Sequence, residues 1–215
     1  MRSDAMTRPV PHSARLSLAQ PLRATSDPAG AAAGTDRPGE EVLRRLLELA
    51  LALLALGFAA PLLVLAALAA AGPMLERQPR LGRHGRPFVV WRLRLRPGPC
   101  GRFLRLCRVD AVLECVNVLR GEMALVGPRP EAPAAAVERA RWIPGWRARM
   151  AVRPGILGWA QLHGAVTQMH RSGAFAAARR MLAYDLDYIR NRSLALDLGI
   201  LFAGLGRVVA GEEAR

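Results

Sequence analysis

The longest apolar stretch of the sequence extends from Leu49 to Leu75 and contains no charged side chain. A straight helix of this length measures about 40 Å, which exceeds the hydrocarbon core of a bilayer at about 30 Å. The stretch is too uniformly apolar to form one face of a helix on a soluble protein. It therefore predicts a membrane-embedded helix, and a buried hairpin of a soluble protein is the alternative.

Pro61 lies in the middle of this stretch, where a proline removes a backbone donor and breaks or kinks a helix. Arg44 and Arg45 precede the stretch. Four further arginines follow it: Arg77, Arg80, Arg83 and Arg86. Because basic residues mark the cytoplasmic side of a membrane segment, both ends are predicted to lie on that side. Residues 41–75 are thus predicted to form a re-entrant helix, with an ordinary kinked span as the alternative.

Residues 88–96 alternate with a period of two, which predicts a strand. One face carries Arg92, Arg94 and Arg96, and the other face is apolar. Two interpretations stay open for the arginine face. It is either a solvated basic surface close to anionic lipid or a strand that binds phosphate.

Apolar residues recur at spacings of three and four over residues 104–120, which predicts a helix with Asp110 and Glu114 one turn apart. A break follows at Gly121. Further helices are predicted over 132–150, interrupted at Pro144-Gly145, over 173–190 and over 194–209. The last of these is short for a membrane span and is expected to lie along the membrane or on the core. These elements indicate an α-rich α+β fold.

Pro128 and Pro130 enclose Arg129 in a short loop. The two prolines leave the backbone little freedom, so the arginine can be directed at an anion at a small cost in entropy. A rigid surface turn is the alternative interpretation.

The composition of the chain indicates which classes of molecule the protein can bind. The chain has 215 residues and a net charge of +14, and all of its basic residues other than histidine are arginines. The absence of lysine excludes Schiff-base chemistry and a lysine nucleophile. The charge indicates an anionic partner, either a membrane surface, a phosphorylated substrate or nucleic acid. Nucleic acid is disfavoured because few aromatic residues are interleaved with the arginines. Residues 1–40 lack apolar periodicity and are predicted to be a disordered tail, and residues 212–215 a short C-terminal tail.

Four strings follow one another along the chain: GPMLERQPRLGRHGRPFVVWRLR, VLRGEMALVGPRPE, RPGILGWAQLHG and YDLDYIRNRSLALDLGIL. Over residues 41–211 the chain resembles the bacterial initiating sugar transferases. These are monotopic polyprenyl-phosphate phosphoglycosyl transferases of capsule, exopolysaccharide and glycan synthesis. The resemblance implies a small catalytic domain, residues 76–211, on the cytoplasmic face of the bacterial inner membrane.

The resemblance also implies a reaction. A sugar-1-phosphate passes from a UDP-sugar to undecaprenyl phosphate, or to a similar polyprenyl phosphate, with Mg²⁺ as cofactor and UMP as the second product. An aspartate attacks the donor and carries a covalent phosphosugar, which the lipid phosphate then attacks. Both substrates are anionic, so arginines and a metal ion are the groups that such a transition state requires. Anionic membrane lipid is the further expected partner.

Carried over residue by residue, the resemblance assigns Asp110 as the nucleophile and as a metal ligand. Arg92 and Arg94 take the place of the basic pair of the family's strand. The expected phosphate-binding residues are Arg92, Arg94, Arg129 and Arg153. The expected site loop contributes Pro128, Pro130 and Gln161.

One departure from the family pattern concerns the acidic pair. Ala111 stands where a glutamate usually follows the nucleophile, and Glu114 replaces a glutamine. Glu114 lies one helical turn from Asp110 and is the candidate compensating acid. The alternative is a catalytically impaired homologue that acts at the membrane as a binding or regulatory protein. The sequence carries no signal for the sugar or for the oligomeric state.

Overall fold

The computed structural model describes residues 38–68, 75–94, 104, 111–164 and 174–210. Residues 1–37 of the predicted tail, the tail at 212–215, and Asp110 and Arg96 lie outside this part of the chain.

The described residues form a mixture of long helices and short strand pairs, which confirms the α-rich α+β class. The helices are α1 (Pro38–Leu68), α2 (Glu114–Leu119), α3 (Pro133–Trp142), α4 (Trp159–Leu162), α5 (Ala174–Asn191) and α6 (Leu194–Ala210). The strands are β1 (Leu75–Leu81), β2 (Pro87–Leu93), β3 (Ala124–Val126) and β4 (Gly155–Leu157). A 3-10 segment, Trp146–Ala151, follows α3, so the predicted interruption at Pro144-Gly145 is present.

Helix α1 contains the apolar stretch and is long and apolar enough to cross a membrane. Pro61 lies inside this helix, which continues on both sides of the proline. A proline removes one hydrogen bond, and the turns on either side keep theirs. The outer face of α1 leaves large apolar side chains exposed, including Leu53, Leu54 and Phe58.

The opposite face of α1 packs on the rest of the molecule. Ala52 belongs to the main apolar core, together with Val90 of β2, Val118 of α2 and Ile200 of α6. Near its start, Arg44 forms a buried ion pair with Asp197, with 2.7 Å between Nε and Oδ2. Helix α1 is therefore joined to the rest of the domain both by apolar contacts and by a buried ion pair.

Two small sheets position the loops. Strands β1 and β2 form an antiparallel hairpin, and β3 and β4 pair in parallel. The backbones of the β3 and β4 segments approach most closely at Gly127 and Gly155. A Cβ atom on Gly155 would overlap the Gly127 nitrogen, so this position has no room for a side chain.

The predicted helix over 104–120 is only partly correct. Residues 111–113 form a turn, and α2 begins at Glu114. The backbone N–H groups of Glu114, Cys115 and Val116 donate to carbonyls three residues earlier. A turn with hydrogen bonds between residues three apart keeps its apolar side chains on one side, as a helix does. The spacing of apolar residues therefore could not distinguish this turn from a helix.

Candidate functional site

A small pocket lies between the β1–β2 hairpin, the start of α2 and the loop after β3. Its walls are Arg80, Val90, Arg92, Glu114, Arg129 and Pro130. The structure therefore brings together four of the residues that the sequence singled out, Arg92, Glu114, Arg129 and Pro130, from three separate segments of the chain.

Arg92 reaches this pocket because the arginine-bearing face of β2 is the inward one. Phe88 and Val90 precede it on that face, and both are buried. The Arg92 Nη2 atom lies 2.6 Å from Glu114 Oε1. The Arg92 Nε atom is buried and has no hydrogen-bond partner among the residues that the structure describes. An unsatisfied buried donor is costly, so this edge of the pocket is suited to a further anionic acceptor.

Helix α2 is short, and side-chain hydrogen bonds place Glu114 opposite Arg92. Asn117, one turn further on, is fully buried and donates to the Val89 carbonyl, with 2.8 Å between Nδ2 and O. At the other end of α2, Arg45 of α1 donates to the Val118 carbonyl at 2.7 Å. A guanidinium at this position satisfies a terminal carbonyl and complements the helix dipole.

The pocket carries an excess of positive charge. Burial lowers the pKa of the Arg80 guanidinium, and the charge of Arg92 acts in the same direction. The carboxylates of Glu114 and Glu131 oppose this shift. Three guanidinium groups thus line a space together with one carboxylate, and a phosphate group would relieve their repulsion.

The loop with Pro128, Arg129 and Pro130 is tied to its surroundings by backbone hydrogen bonds. The Gly155 N–H donates to the Pro128 carbonyl at 3.0 Å, and the Leu81 N–H donates to the Glu131 carbonyl at 2.9 Å. Arg149 adds a side-chain donor, with Nη2 at 3.3 Å from the Arg129 carbonyl. These contacts reach the loop from β4, β1 and the 3-10 segment.

A buried network of charged groups supports this loop from behind. The Glu131 carboxylate contacts Arg139 and Arg149, and it accepts a hydrogen bond from Trp146 Nε1 at 2.7 Å. Arg149 also pairs with Asp185 of α5, with 2.7 Å between Nη2 and Oδ2. Burial raises the pKa of Asp185 to about 6, although Arg149 acts in the opposite direction.

Other predicted site residues do not line this pocket. Arg94 follows the end of β2, its side chain is 71% exposed, and Nη2 lies 3.8 Å from Glu76 Oε2. Arg153 faces α1, with Nη1 at 3.6 Å from Glu48 Oε2, and burial lowers its pKa. Gln161 packs against Gly158, and within the described ranges its buried Oε1 atom has no hydrogen-bond partner.

Sequence reasoning missed Arg80 as a wall of the pocket and missed the network of Glu131, Arg149 and Asp185. Arg80 could have been found from the turn at Gly82–Gly85. This turn pairs residues 75–81 with residues 87–93, and the pairing places Arg80 on the same face of the hairpin as Val90. The network joins residues that are distant along the chain, and no local pattern indicated it.

The described residues do not by themselves offer a metal cage. Within these ranges, no group of three or more His, Cys, Asp or Glu side chains could hold a metal ion. Glu114, the carboxylate in the pocket, is engaged by Arg92. The described walls are therefore suited to an anion, and a magnesium site would need Asp110 as well as oxygens of the substrate.

Comparison with known proteins adds an independent finding. Residues 39–211 match the protein family described as bacterial sugar transferase. The chain is 36% identical over 202 residues to the UDP-glucose:undecaprenyl-phosphate glucose-1-phosphate transferase of Caulobacter vibrioides, covering 83% of this chain and 74% of that protein. It is 33% identical over 183 residues to the protein of the same name from Escherichia coli, covering 75% of this chain and 39% of that protein.

A third relative is named for a different sugar. The UDP-N-acetylgalactosamine-undecaprenyl-phosphate N-acetylgalactosaminephosphotransferase of Aeromonas hydrophila is 32% identical over 196 residues, covering 80% of this chain and 45% of that protein. The chain thus spans about three quarters of one of these relatives and less than half of the other two.

Proposed function

The chain belongs to the bacterial sugar transferase family, and on that premise we propose that it is a sugar-phosphate transferase that acts on undecaprenyl phosphate at a membrane. The observation that carries the proposal is the pocket in which Arg80, Arg92 and Arg129 meet. Phosphoryl transfer between two anionic substrates depends mainly on positioning and on neutralisation of charge. Side chains from three separate segments supply that charge here.

The donor in this proposal is a UDP-sugar. A carboxylate oxygen of Asp110 attacks the phosphorus that bears the sugar, and the bond from that phosphorus to the UMP oxygen breaks. UMP leaves, and an acyl phosphate links the sugar to the protein. An oxygen of undecaprenyl phosphate then attacks the same phosphorus, which releases the lipid-linked diphosphate sugar and restores the carboxylate. Arg92 and Arg129 bind the phosphate oxygens during both displacements.

Magnesium belongs to the proposal as an expectation from the resemblance. Mg²⁺ is usually held by one or two carboxylates together with substrate phosphates and water. Asp110 and the donor diphosphate would be its ligands, and Glu114 would be one only after it exchanged its contact with Arg92. When bound, the ion would neutralise charge on the diphosphate.

The test of this function is release of UMP. The full chain, in nanodiscs with undecaprenyl phosphate and magnesium, is supplied with UDP-glucose, UDP-galactose, UDP-N-acetylglucosamine and UDP-N-acetylgalactosamine in turn. We expect UMP and a lipid-linked sugar from at least one donor, and the preferred donor identifies the sugar. UMP from none of a broad set of UDP-sugars would contradict the proposed reaction. It would favour the impaired homologue.

The membrane arrangement is a proposal of its own. We propose that α1 bends at Pro61, so that the apolar stretch enters the cytoplasmic leaflet of the inner membrane and returns to the same face, which leaves residues 76–211 in the cytoplasm. Arg44 and Arg45 support this arrangement, because their contacts with Asp197 and with the end of α2 hold the start of α1 against the domain. An apolar helix whose base is fixed to a cytoplasmic domain by buried charges has its N-terminal end on the side of that domain.

Accessibility to a membrane-impermeant thiol reagent tests the topology. Single cysteines are placed at Gly39 and at the exposed Arg86, on either side of the apolar stretch, in a chain whose natural cysteines are replaced by alanine. Both are expected to react in inside-out vesicles and to stay unlabelled in intact spheroplasts. Labelling of the two positions from opposite sides would show an ordinary membrane span instead.

A further inference from the structure

The outward face of the β1–β2 hairpin is apolar. In the register of the hairpin, Leu75 pairs with Leu93, Arg77 with Trp91 and Pro79 with Val89. Side chains of paired residues share one face of a sheet, so these six form a single surface. Leu75 is 54% exposed and Val89 is 38% exposed. A hairpin whose inner face closes the arginine pocket thus presents an apolar surface on its other side.

This surface contains a tryptophan with an arginine stacked on it. The Arg77 guanidinium carbon lies 4.6 Å from the centre of the Trp91 ring. Arg77 is exposed, and Trp91 is half-buried. Tryptophan is enriched at the level of lipid headgroups, where its ring meets both apolar and polar surroundings. Arginine can extend its apolar stem along such a surface while its charge stays among the headgroups.

The surface is continuous with the apolar helix. Leu93, at one end of the hairpin, packs against Leu104 in a cluster that also includes Leu62 and Leu63 of α1. The hairpin face therefore adjoins the side of α1 that carries Leu62 and Leu63.

We propose that this hairpin face, formed by Leu75, Arg77, Pro79, Val89, Trp91 and Leu93, is a second membrane contact and that it lies in the headgroup region of an anionic phospholipid bilayer. Continuity with α1 and the pairing of Trp91 with Arg77 identify the occupant as lipid. The contact would hold the pocket on the opposite face of the hairpin close to the bilayer surface. The proposed membrane contact does not depend on the proposed reaction, because the contact concerns the face of the hairpin that is turned away from the pocket.

Quenching of tryptophan fluorescence by brominated lipid tests the contact without any sugar donor. The full chain is placed in nanodiscs of phosphatidylcholine and phosphatidylglycerol whose acyl chains are brominated close to the headgroup, or in unbrominated discs. The emission of Trp91 is obtained by subtracting the emission of the Trp91→Phe variant from that of the wild-type chain. The emission of Trp142, which is 69% exposed on α3, is obtained in the same way from Trp142→Phe and serves as the control.

We expect bromine to reduce the Trp91 emission by about half, as for a side chain at headgroup depth, and to leave the Trp142 emission nearly unchanged. Quenching of Trp91 should be weaker in discs that lack phosphatidylglycerol, and Arg77→Gln should remove that dependence on anionic lipid. A Trp91 emission that bromine leaves unchanged would overturn the proposal. Equal quenching of Trp91 and Trp142 would overturn it as well, since it would show no preference for the hairpin face.

Discussion

Replacement of Asp110 by asparagine is expected to lower the rate of UMP release by about 10⁴-fold or more, because an amide does not attack phosphorus as a carboxylate does. The covalent step should disappear at the same time. With donor but no lipid acceptor, the wild-type chain should release UMP in a burst and retain one labelled sugar phosphate per chain. Asp110→Asn should show neither the burst nor the label. Stopped assays of UMP and intact-mass spectrometry make the two measurements.

Asp187→Asn is the matched control for this change. Asp187 is exposed on α5, and its carboxylate contacts only the neighbouring Asn191 side chain among the contacts described. Its replacement should leave UMP release within about twofold of wild type, as for a surface substitution away from the site. Should Asp110→Asn keep more than a tenth of the wild-type rate, Asp110 is not the nucleophile and the two-step mechanism is wrong.

The second large effect is expected for Arg149→Met, which should lower the free energy of unfolding by about 3–5 kcal/mol at pH 8. Arg149 is buried between Glu131 and Asp185, and methionine fills a similar volume without the charge. The substitution leaves the Asp185 carboxylate in an apolar interior without its partner. Denaturation of the detergent-solubilised protein, followed by near-ultraviolet circular dichroism, measures the loss.

The pH dependence gives this prediction a signature. The pKa of Asp185 is raised from 3.8 to about 6 by burial, so the folded protein holds a proton that the unfolded chain releases between about pH 4 and 6. The contribution of Asp185 to the free energy of unfolding is therefore greatest below about pH 4 and falls as the pH rises to about 6. Without Arg149 the folded pKa rises further, and the decline continues to higher pH. The deficit of Arg149→Met should thus be smaller at pH 5 than at pH 8.

Arg147→Met controls for the loss of an arginine from the same 3-10 segment. Arg147 is exposed, whereas Arg149 is buried. Its replacement should change the free energy of unfolding by no more than about 0.5 kcal/mol at either pH. A deficit of Arg149→Met that is equal at both pH values would show that the Asp185 charge is not the source of the instability.

Local patterns were sufficient for several elements. The period of two over residues 88–96 predicted β2, and the helices predicted over 173–190 and 194–209 lie close to the observed α5 and α6. The uncharged stretch predicted α1 in the same way, because length and composition alone decide whether a helix is long and apolar enough for a bilayer. The short parallel pair β3–β4 was not predicted, since three-residue strands leave too little periodicity to detect.

The arrangement of the pocket could not be predicted from local sequence patterns. Alternation in β2 separated an arginine face from an apolar face but did not indicate which of them faces the core. In the structure Phe88 and Val90 are buried, so Arg92 turns inward to Glu114, and the apolar face with Trp91 turns outward. The pairing of β1 with β2 then added Arg80 to the pocket, and the docking of α1 drew Arg153 towards Glu48.

The sequence by itself thus determined the apolar helix, the family and the residue types that the chemistry requires, because each of these is a property of composition or of short-range order. Only the tertiary structure decided which arginines share a pocket, which carboxylate faces them, and that Arg149 joins Glu131 to Asp185. Those choices depend on where desolvation of a charge can be offset by a partner from a distant part of the chain. That balance exists only once the elements have packed.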